Sequence, residues 1–282
     1  IHVYDIYGNE LAFSKQGATN NIDLRVINKD VHVVVSNRRL STLDYWIFPE
    51  ENLFDYFKTN TSDPFSEDIM HHHLKANMNV YGVCMGIVDG KPYAALTEEE
   101  GPTIQLWDLI SKQVINTLDI TADEINVPKS GNEAEGCVFD DENKHLLISR
   151  EGERGYLKAF KSDTLEMIKV VDSRDGNITG DPEGVAIYAT SENDGYIILS
   201  SQGGNEFNLY DRQNLTFIEK FKINGIEDTE GLDVTNNQVK GIFPNGFLVV
   251  QDGRNLPSNQ NFKIISMEEV LKKKLSHHGS TH

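Results

Sequence analysis

A short motif recurs along the whole chain and is the strongest constraint on its fold. An acidic residue, a glycine and an apolar run follow one another in Glu135-Gly136-Cys137, Glu183-Gly184-Val185 and Glu230-Gly231-Leu232. The segment Tyr81-Gly82-Val83 fits the same frame, and Asn20-Asn21-Ile22 fits it more loosely. Counted from Asp23, Tyr81, Glu135, Glu183 and Glu230, consecutive copies lie roughly 47 to 58 residues apart, so each copy marks one repeated structural unit.

Each copy is followed by further apolar runs that are separated by turn-forming residues. The first of these runs occupy residues 31–35, 93–96, 145–148, 196–199 and 247–250. Short β-rich runs between Gly, Asn and Asp turns are typical of strands rather than helices. Three or four strands in roughly 45 to 50 residues match the size of a β-propeller blade. The pattern therefore predicts an all-β propeller.

The number of units suggests an incomplete propeller. A chain of 282 residues accommodates five to six such units, and five copies of the motif are visible. Residues 1–13 have the pattern of the outer strands of a preceding blade. We therefore predict a six-bladed β-propeller that lacks part of its first blade, with one domain over residues 1–275 and a tail or linker over 276–282. Ser266 and Glu269 have capping-box spacing, which predicts one short C-terminal helix.

The charge of the chain limits its partners. Lys and Arg number 26 against 44 Asp and Glu, which gives a net charge of −18. Such a surface repels bare polyanions, so we expect no nucleic-acid partner, and no apolar run approaches the roughly 18 to 20 residues of a membrane span. A phosphorylated ligand would need a cation between itself and the protein, most simply a hard metal ion held by carboxylates. Composition alone equally fits an acidic surface that keeps the protein soluble.

The repeated acids suggest where such a metal would bind. The first strand of each blade lines the central channel of a propeller, so Glu135, Glu183 and Glu230 are predicted to stand side by side at one mouth. Asp181 lies two residues before Glu183 and points to the same side of the strand. Crowded carboxylates require cations, and oxygen ligands suit calcium. The glycine after each acid leaves room for close packing. Alternatively, Glu-Gly is only a turn signature whose acid accepts backbone N–H groups.

Four longer segments indicate a family. They are Asp181-Pro182-Glu183-Gly184, residues 200–213 (SSQGGNEFNLYDRQ), Asp228-Thr229-Glu230-Gly231 and residues 251–255 (QDGRN). These segments resemble the β-propeller phytases, or 3-phytases, and the resemblance extends to about residue 275. It implies a six-bladed, secreted, calcium-dependent phosphomonoesterase that hydrolyses phytate or lower myo-inositol phosphates. It also implies several calcium ions and in-line attack of a calcium-bound water on phosphorus.

The resemblance assigns site residues position by position. The implied metal ligands are Glu135, Glu151, Asp181, Glu183, Gln202, Glu230, Asp252 and Asn255. The implied catalytic residues are Glu135, Glu183, Asp181 and Tyr81. Arg38 and Tyr81 are the implied phosphate-binding residues, and a guanidinium suits that role because it contacts phosphate oxygens in pairs.

The sequence also departs from the family pattern. A segment with calcium ligands and a pair of lysines would fall before residue 1. A further phosphate-binding lysine aligns with the acidic run 98–100, at Glu99, and Arg254 stands where an acid is common. These departures favour the incomplete N-terminal domain of a tandem phytase, with a second phytase domain in the same polypeptide, over a fragment of a single-domain enzyme. The alternative function is a degenerate calcium-binding propeller that binds inositol phosphates or a partner domain without catalysis.

Two further features receive structural interpretations. Adjacent residues of an extended chain point to alternating sides, so the triplet His71-His72-His73 is not predicted to be a metal site. Cys84 and Cys137 are expected to be free buried thiols.

Overall fold

The computed structural model describes residues 1–51, 53–60, 64–65, 70–127 and 131–277. Backbone contacts divide the chain into two compact units, Ile1–Ile125 and Asn126–His282, called unit 1 and unit 2 below. Residues 278–282 of the predicted tail lie outside the described residues. Nearly all regular structure in both units is antiparallel β-sheet.

Within its described residues, unit 1 has ten strands and one short helix. In chain order they are β1 (His2–Tyr4), β2 (Glu10–Phe13), β3 (Thr19–Ile27), β4 (Asp30–Asn37), β5 (Thr42–Pro49), α1 (Leu53–Thr59), β6 (Met70–Lys75), β7 (Val80–Val88), β8 (Lys91–Glu98), β9 (Thr103–Asp108) and β10 (Gln113–Asp119). The strands form the pair β1-β2 and two four-stranded sheets, β3-β4-β5-β6 and β7-β8-β9-β10. Each strand in these sheets pairs with the next strand of the chain.

Unit 2 repeats this arrangement in three sheets. Its described elements are β11 (Ala134–Asp140), β12 (His145–Arg150), β13 (Tyr156–Lys161), β14 (Met167–Ser173), β15 (Asp181–Ala189), β16 (Gly195–Gln202), β17 (Glu206–Asp211), β18 (Thr216–Phe221), β19 (Leu232–Thr235), β20 (Phe247–Asp252), β21 (Asn261–Ser266) and α2 (Met267–His277). The sheets are β11-β12-β13-β14, β15-β16-β17-β18 and the three-stranded β19-β20-β21.

The five sheets of three or four strands are β-propeller blades, which confirms the all-β propeller class. Among the described residues there is no sixth blade of that size; the segment predicted to be an outer half blade forms the pair β1-β2. Ala12 of this pair packs against Val33, Trp46 and Phe48 of the next sheet. The sequence therefore located this pair of strands, but the count of six blades is not confirmed.

Two helices occur in the described part of the chain where the sequence predicted one. The predicted helix is α2, and the backbone N–H of Glu268 donates to Ser266 Oγ at 3.3 Å in its first turn. The helix that was not predicted, α1, has only seven residues. Phe57 of α1 packs against Phe48 and Phe65, so tertiary contacts rather than helix propensity account for this helix.

Burial follows the position of a strand within its blade. The interior strand β12 is buried along almost its whole length, whereas the edge strand β10 alternates between exposed and half-buried residues. Sheets pack face to face within each unit: Val34 of β4 and Met85 of β7 share one core in unit 1. In unit 2, Leu147 of β12 packs in one cluster with Ile197 of β16. Apolar burial between neighbouring blades thus stabilises each unit.

The structure corrects the prediction for the cysteines. Cys84 and Cys137 are disulfide-bonded rather than free thiols. The argument from strand orientation was wrong because alternation along a strand fixes which face of its own sheet a side chain lies on, and it does not fix which residue of another sheet packs against that face. Separately, none of the described helices combines the length and the apolar character that a transmembrane segment requires.

Candidate functional site

The repeated motif forms a β-bulge at the start of four blades. The pairing between the first and second strands shifts register between Thr19 and Ile22, between Val80 and Val83, between Ala134 and Cys137, and between Pro182 and Val185. The residues inside these shifts are the repeated dipeptides, Asn20-Asn21, Tyr81-Gly82, Glu135-Gly136 and Glu183-Gly184. The fifth copy, Glu230-Gly231, directly precedes β19. Bulges re-aim side chains and are common beside active sites, so the repeat marks equivalent positions in each blade.

Two of the three motif glycines in unit 2, Gly136 and Gly184, are required by the packing of adjacent blades. The N–H of Gly184 donates to the carbonyl oxygen of Glu230 at 2.8 Å. A Cβ on Gly184 would lie 2.6 Å from that oxygen, and a Cβ on Gly136 would overlap the carbonyl oxygen of Glu183. The prediction that glycine allows close packing here is confirmed at both positions. The backbone that follows Glu135 and Glu183 therefore lies directly against the backbone of the neighbouring blade.

Buried hydroxyl groups on the second strand of each blade secure the bulges, and the sequence analysis missed them. Gly82 N–H donates to Thr97 Oγ1 at 2.7 Å, and Gly136 N–H donates to Ser149 Oγ at 2.8 Å. The equivalent residues in other blades are Ser36 and Ser200. All four are buried and follow three apolar residues, as in Leu146-Leu147-Ile148-Ser149. That pattern was a readable signal for these residues.

A group of buried and half-buried carboxylates lies in unit 2. Single carboxylate oxygens of Glu133, Glu135 and Glu151 all lie within 4.8 Å of one another. Glu183 is hydrogen-bonded to Glu135, and these two residues are only 6% and 7% exposed, respectively. We call these four residues the carboxylate cluster. The structure thus brings together three predicted ligands and adds Glu133, which the sequence analysis did not identify.

The carboxylate cluster holds protons tightly when no cation is bound. Burial, followed by the charges of Glu183 and Glu133, raises the pKa of Glu135 to about 10. Burial and the charges of Glu151 and Glu230 raise the pKa of Glu183 to about 8. Burial also raises the pKa of Glu151, and Glu133 and Asp181 add to that shift. Carboxyl groups packed in this way bind either protons or a cation at neutral pH.

Three further predicted ligands lie at the edge of this cluster. Asp181 pairs with Gln202 across β15 and β16, and Gln202 Nε2 donates to Glu230 Oε1 at 3.1 Å. Asp181 also forms an ion pair with Arg174 and accepts the N–H of Gly152 at 3.3 Å. Arg174 was not identified from sequence, because its position depends on how the loop after β14 folds back. The guanidinium of Arg174 therefore already pairs with Asp181, a carboxylate that is predicted to bind metal.

The last two predicted metal ligands have other contacts in unit 2. Asp252 is buried, forms an ion pair with Lys263 and accepts the backbone N–H of Glu227 at 3.1 Å. Asn255 Nδ2 donates to the carbonyl of Asn259 at 2.9 Å. These contacts stabilise the loop that follows β20. The metal-binding role of both residues stays a prediction.

The predicted phosphate-binding residues meet in unit 1. Arg38 follows β4, and its guanidinium carbon lies 5.1 Å from the centroid of the Tyr81 ring. Arg38 also forms an ion pair with Glu99, whose side chain is 27% exposed against 39% for Arg38. The aligned acid that departs from the family pattern thus contacts the arginine that would bind phosphate. Arg38, Tyr81 and Glu99 are called the arginine site below.

Comparison with known proteins decides the family. A family model described as "Phytase" matches residues 1–279. The chain belongs to the phytase family. It is accordingly a phosphoric monoester hydrolase by family. Among curated proteins, the 3-phytase of Bacillus subtilis (strain 168) is 28% identical over 289 residues, covering 95% of this chain and 72% of that protein.

Two solved structures resemble this phytase in fold alone. One is a chain from the crystal structure of a nidogen/laminin complex, with a TM-score of 0.56, 10% identity, and coverage of 86% of this chain and 75% of that one. The other is hydrazine synthase of Kuenenia stuttgartiensis, with a TM-score of 0.58, 11% identity, and coverage of 92% and 66%. At these identities neither structure informs the activity.

Proposed function

We propose that the chain hydrolyses phytate or lower myo-inositol phosphates in a calcium-dependent reaction. The observation that carries the proposal is the carboxylate cluster, whose buried acids have pKa values raised to about 8 and about 10. Their donors are hard oxygens in a group that excludes sulfur and imidazole, and this donor set fits calcium. Together with the phytase family match, this fit supports calcium as the cofactor.

Specific residues would hold the ions. Glu133, Glu135, Glu151 and Glu183 form the carboxylate cluster, and Asp181, Gln202 and Glu230 extend it. Calcium, when bound, would neutralise the carboxylates and the phosphate and supply an activated nucleophile for attack on phosphorus. The bulges fix the backbone beside the carboxylates before any ion binds, because the N–H of Gly136 donates to Ser149 Oγ and the N–H of Gly184 donates to the carbonyl oxygen of Glu230.

The arginine site would bind a phosphate group of the substrate. The guanidinium of Arg38 can donate two parallel N–H groups to phosphate oxygens, and the Tyr81 ring limits the directions it can take. Substrate would first have to displace Glu99 from Arg38. We expect this competition to weaken substrate binding, since an anionic side chain already satisfies the cation.

Further aspects of the proposal concern location and organisation. The disulfide-bonded cysteines support a secreted or extracellular protein, since disulfides persist in oxidising compartments. The family match across both units supports one phytase domain over residues 1–275. The β1-β2 pair, packed on the next sheet through Ala12, supports its assignment as the outer part of a sixth blade. A second phytase domain in the same polypeptide remains part of the proposal, supported by Glu99.

The alternative is a calcium-binding propeller that binds inositol phosphates or a partner domain without catalysis. The Arg38–Glu99 ion pair is the observation that favours it, because it fills the cationic site with an internal acid. Measurement of turnover separates the two functions.

The deciding experiment measures inorganic phosphate released from phytate and from an inositol tetrakisphosphate while free calcium is raised from chelated to millimolar levels. We expect release that depends on calcium and falls at least about 100-fold in Glu183→Gln. Glu166→Gln is the matched control, because Glu166 is an exposed glutamate paired with Lys161. Calcium binding without phosphate release from either substrate would instead establish the alternative. Equal activity of Glu183→Gln and the wild type would refute the carboxylate assignment.

A further inference from the structure

A second group of metal-ligating side chains lies in unit 1, apart from the acidic residues assigned above. It consists of Asp44 on β5 and His71 and His73 on β6. One ligand atom from each residue lies within 4.8 Å of the other two. Imidazole nitrogen suits zinc, copper and nickel, whereas calcium prefers oxygen. The group therefore differs in chemistry from the carboxylate cluster.

The pleat of β6 explains why the triplet can supply two ligands. His73 pairs with Asp44 and His71 pairs with Trp46 across β5 and β6, so these side chains share one face of the sheet. His72 points to the opposite face, where its ring lies 6.1 Å from that of Tyr45. Alternation thus separates His72 from its neighbours but places His71 and His73 together. Their ring centroids are 4.1 Å apart.

Asp44 orients His73 in the manner of carboxylates behind metal-bound histidines. His73 Nδ1 lies 2.7 Å from Asp44 Oδ1, and a carboxylate can only accept, so in the neutral imidazole Nδ1 carries the proton and Nε2 keeps its lone pair. Asp44 is itself fixed, since Thr42 Oγ1 donates to Oδ1 at 2.7 Å and Asn37 Nδ2 donates to Oδ2 at 3.0 Å. The carboxylate is fully buried.

One of the two histidines is held rigidly, and the other is accessible to solvent. His71 stacks on Trp46, with ring centroids 4.3 Å apart and an interplanar angle of 13°, and Trp46 is fully buried. The side chain of His73 is 45% exposed, so an ion can reach the site from solvent. One ligand is therefore held against the core while the other faces water.

We propose that His71 and His73 bind a divalent transition-metal ion of the zinc class, with Asp44 as the carboxylate that positions His73. The ion would be held by side chains of β6, the outermost strand of its sheet, and anchored through Asp44 to β5. This site does not depend on the proposed phosphatase function.

The test titrates Zn²⁺ into the whole protein by calorimetry, with millimolar calcium present throughout to occupy the acidic residues of unit 2. A parallel titration follows quenching of Trp46 fluorescence by Ni²⁺ in a Trp107→Phe background, where Trp46 is the single tryptophan. We expect one saturable site in both measurements, and we expect Zn²⁺ to reverse the quenching by Ni²⁺.

Substitutions in the histidine triplet and at Asp44 test which side chains bind the ion. His71→Ala and His73→Ala should each weaken binding at least about 10-fold, and Asp44→Asn should weaken it roughly 10- to 100-fold. His72→Ala is the matched control from the same triplet and should bind as the wild type does. If Asp44→Asn fails to fold, the exposed His73 variant still tests the site. Unchanged binding in both His71→Ala and His73→Ala, or equal loss in His72→Ala, would overturn the proposal.

Discussion

Arg38 is the residue at which an internal acid and the substrate would compete. Its guanidinium contacts the Tyr81 ring and forms an ion pair with Glu99. Both partners of the pair are partly exposed, and ion pairs in such positions contribute roughly 0.2 to 1 kcal/mol. A phosphate carries more negative charge than a carboxylate, so it can displace Glu99, but at a cost in affinity. Under the proposed function, Glu99 would thus weaken substrate binding without abolishing it.

The substitution Glu99→Gln should strengthen substrate binding. It removes the competing charge, and the free energy of a partly exposed ion pair corresponds to a KM for phytate about 1.5- to 5-fold lower, with kcat unchanged. Steady-state phosphate release at saturating calcium measures both constants. Glu100→Gln is the matched control, because Glu100 is the exposed neighbour in the same acidic run. A KM that stays the same or rises in Glu99→Gln would show that Arg38 does not bind the substrate.

At the scale of elements, the Glu-Gly bulge connects neighbouring blades through their backbones. In Gly184→Ala the new Cβ would lie 2.6 Å from the carbonyl oxygen of Glu230 and 2.9 Å from the N atom of Leu232. Backbone atoms cannot move away cheaply, so we expect a loss of roughly 1 to 3 kcal/mol in the free energy of unfolding. We also expect calcium-dependent activity to fall, because Glu183 and Glu230 would be displaced.

The chain offers its own control for this prediction. Gly231 occupies the same position in the fifth copy of the motif, but a Cβ there meets no atom within 4 Å. Gly231→Ala should therefore leave the free energy of unfolding within about 0.5 kcal/mol of the wild type. Urea denaturation of both variants measures the difference. Equal stability of the two variants would contradict the close-packing argument.

Local patterns predicted the elements well, whereas long-range contacts limited the prediction of the site. The repeat located the blades, since alternation and turns are encoded within a few residues. It also predicted that Glu135 and Glu183 occupy equivalent positions, which are bulges in the structure. Glu133 and Arg174 were missed because only folding brings them to these acids. The helix α1 depends in the same way on Phe57 packing against Phe48. The repeat thus predicted the strands that carry the site, but it did not predict the charged side chains of Glu133 and Arg174.

At the scale of the whole molecule, negative charge dominates, with a net charge of −18. Two of the acids counted in this formal charge, Glu135 and Glu183, are buried, and burial raises the pKa of both carboxyl groups so that they favour protons when no cation is bound. Calcium would replace those protons. Under the proposed function, stability, calcium binding and pH would therefore be linked in one equilibrium.

The final prediction concerns the pH dependence of stability in the calcium-free protein. Glu183 and Glu135 have folded pKa values of about 8 and about 10 against an ordinary value of 4.5, so the folded state binds more protons than the unfolded state between these limits. Their contribution is complete below pH 4.5 and is lost as pH rises through 8 and then 10. We therefore expect the free energy of unfolding in chelator to fall by at least roughly 1 kcal/mol between pH 6 and pH 9.

Calcium should reverse this trend. Ions bind the deprotonated carboxylates, so the stabilisation that calcium confers should grow from pH 6 to pH 9. Chemical denaturation at both pH values, with chelator and with millimolar calcium, measures the difference. Glu183→Gln should reduce the fall in chelator and weaken the calcium effect, while Glu166→Gln should change neither, because Glu166 is exposed and pairs with Lys161. A calcium effect of equal size at both pH values would mean that protons and calcium do not compete for the carboxylate cluster.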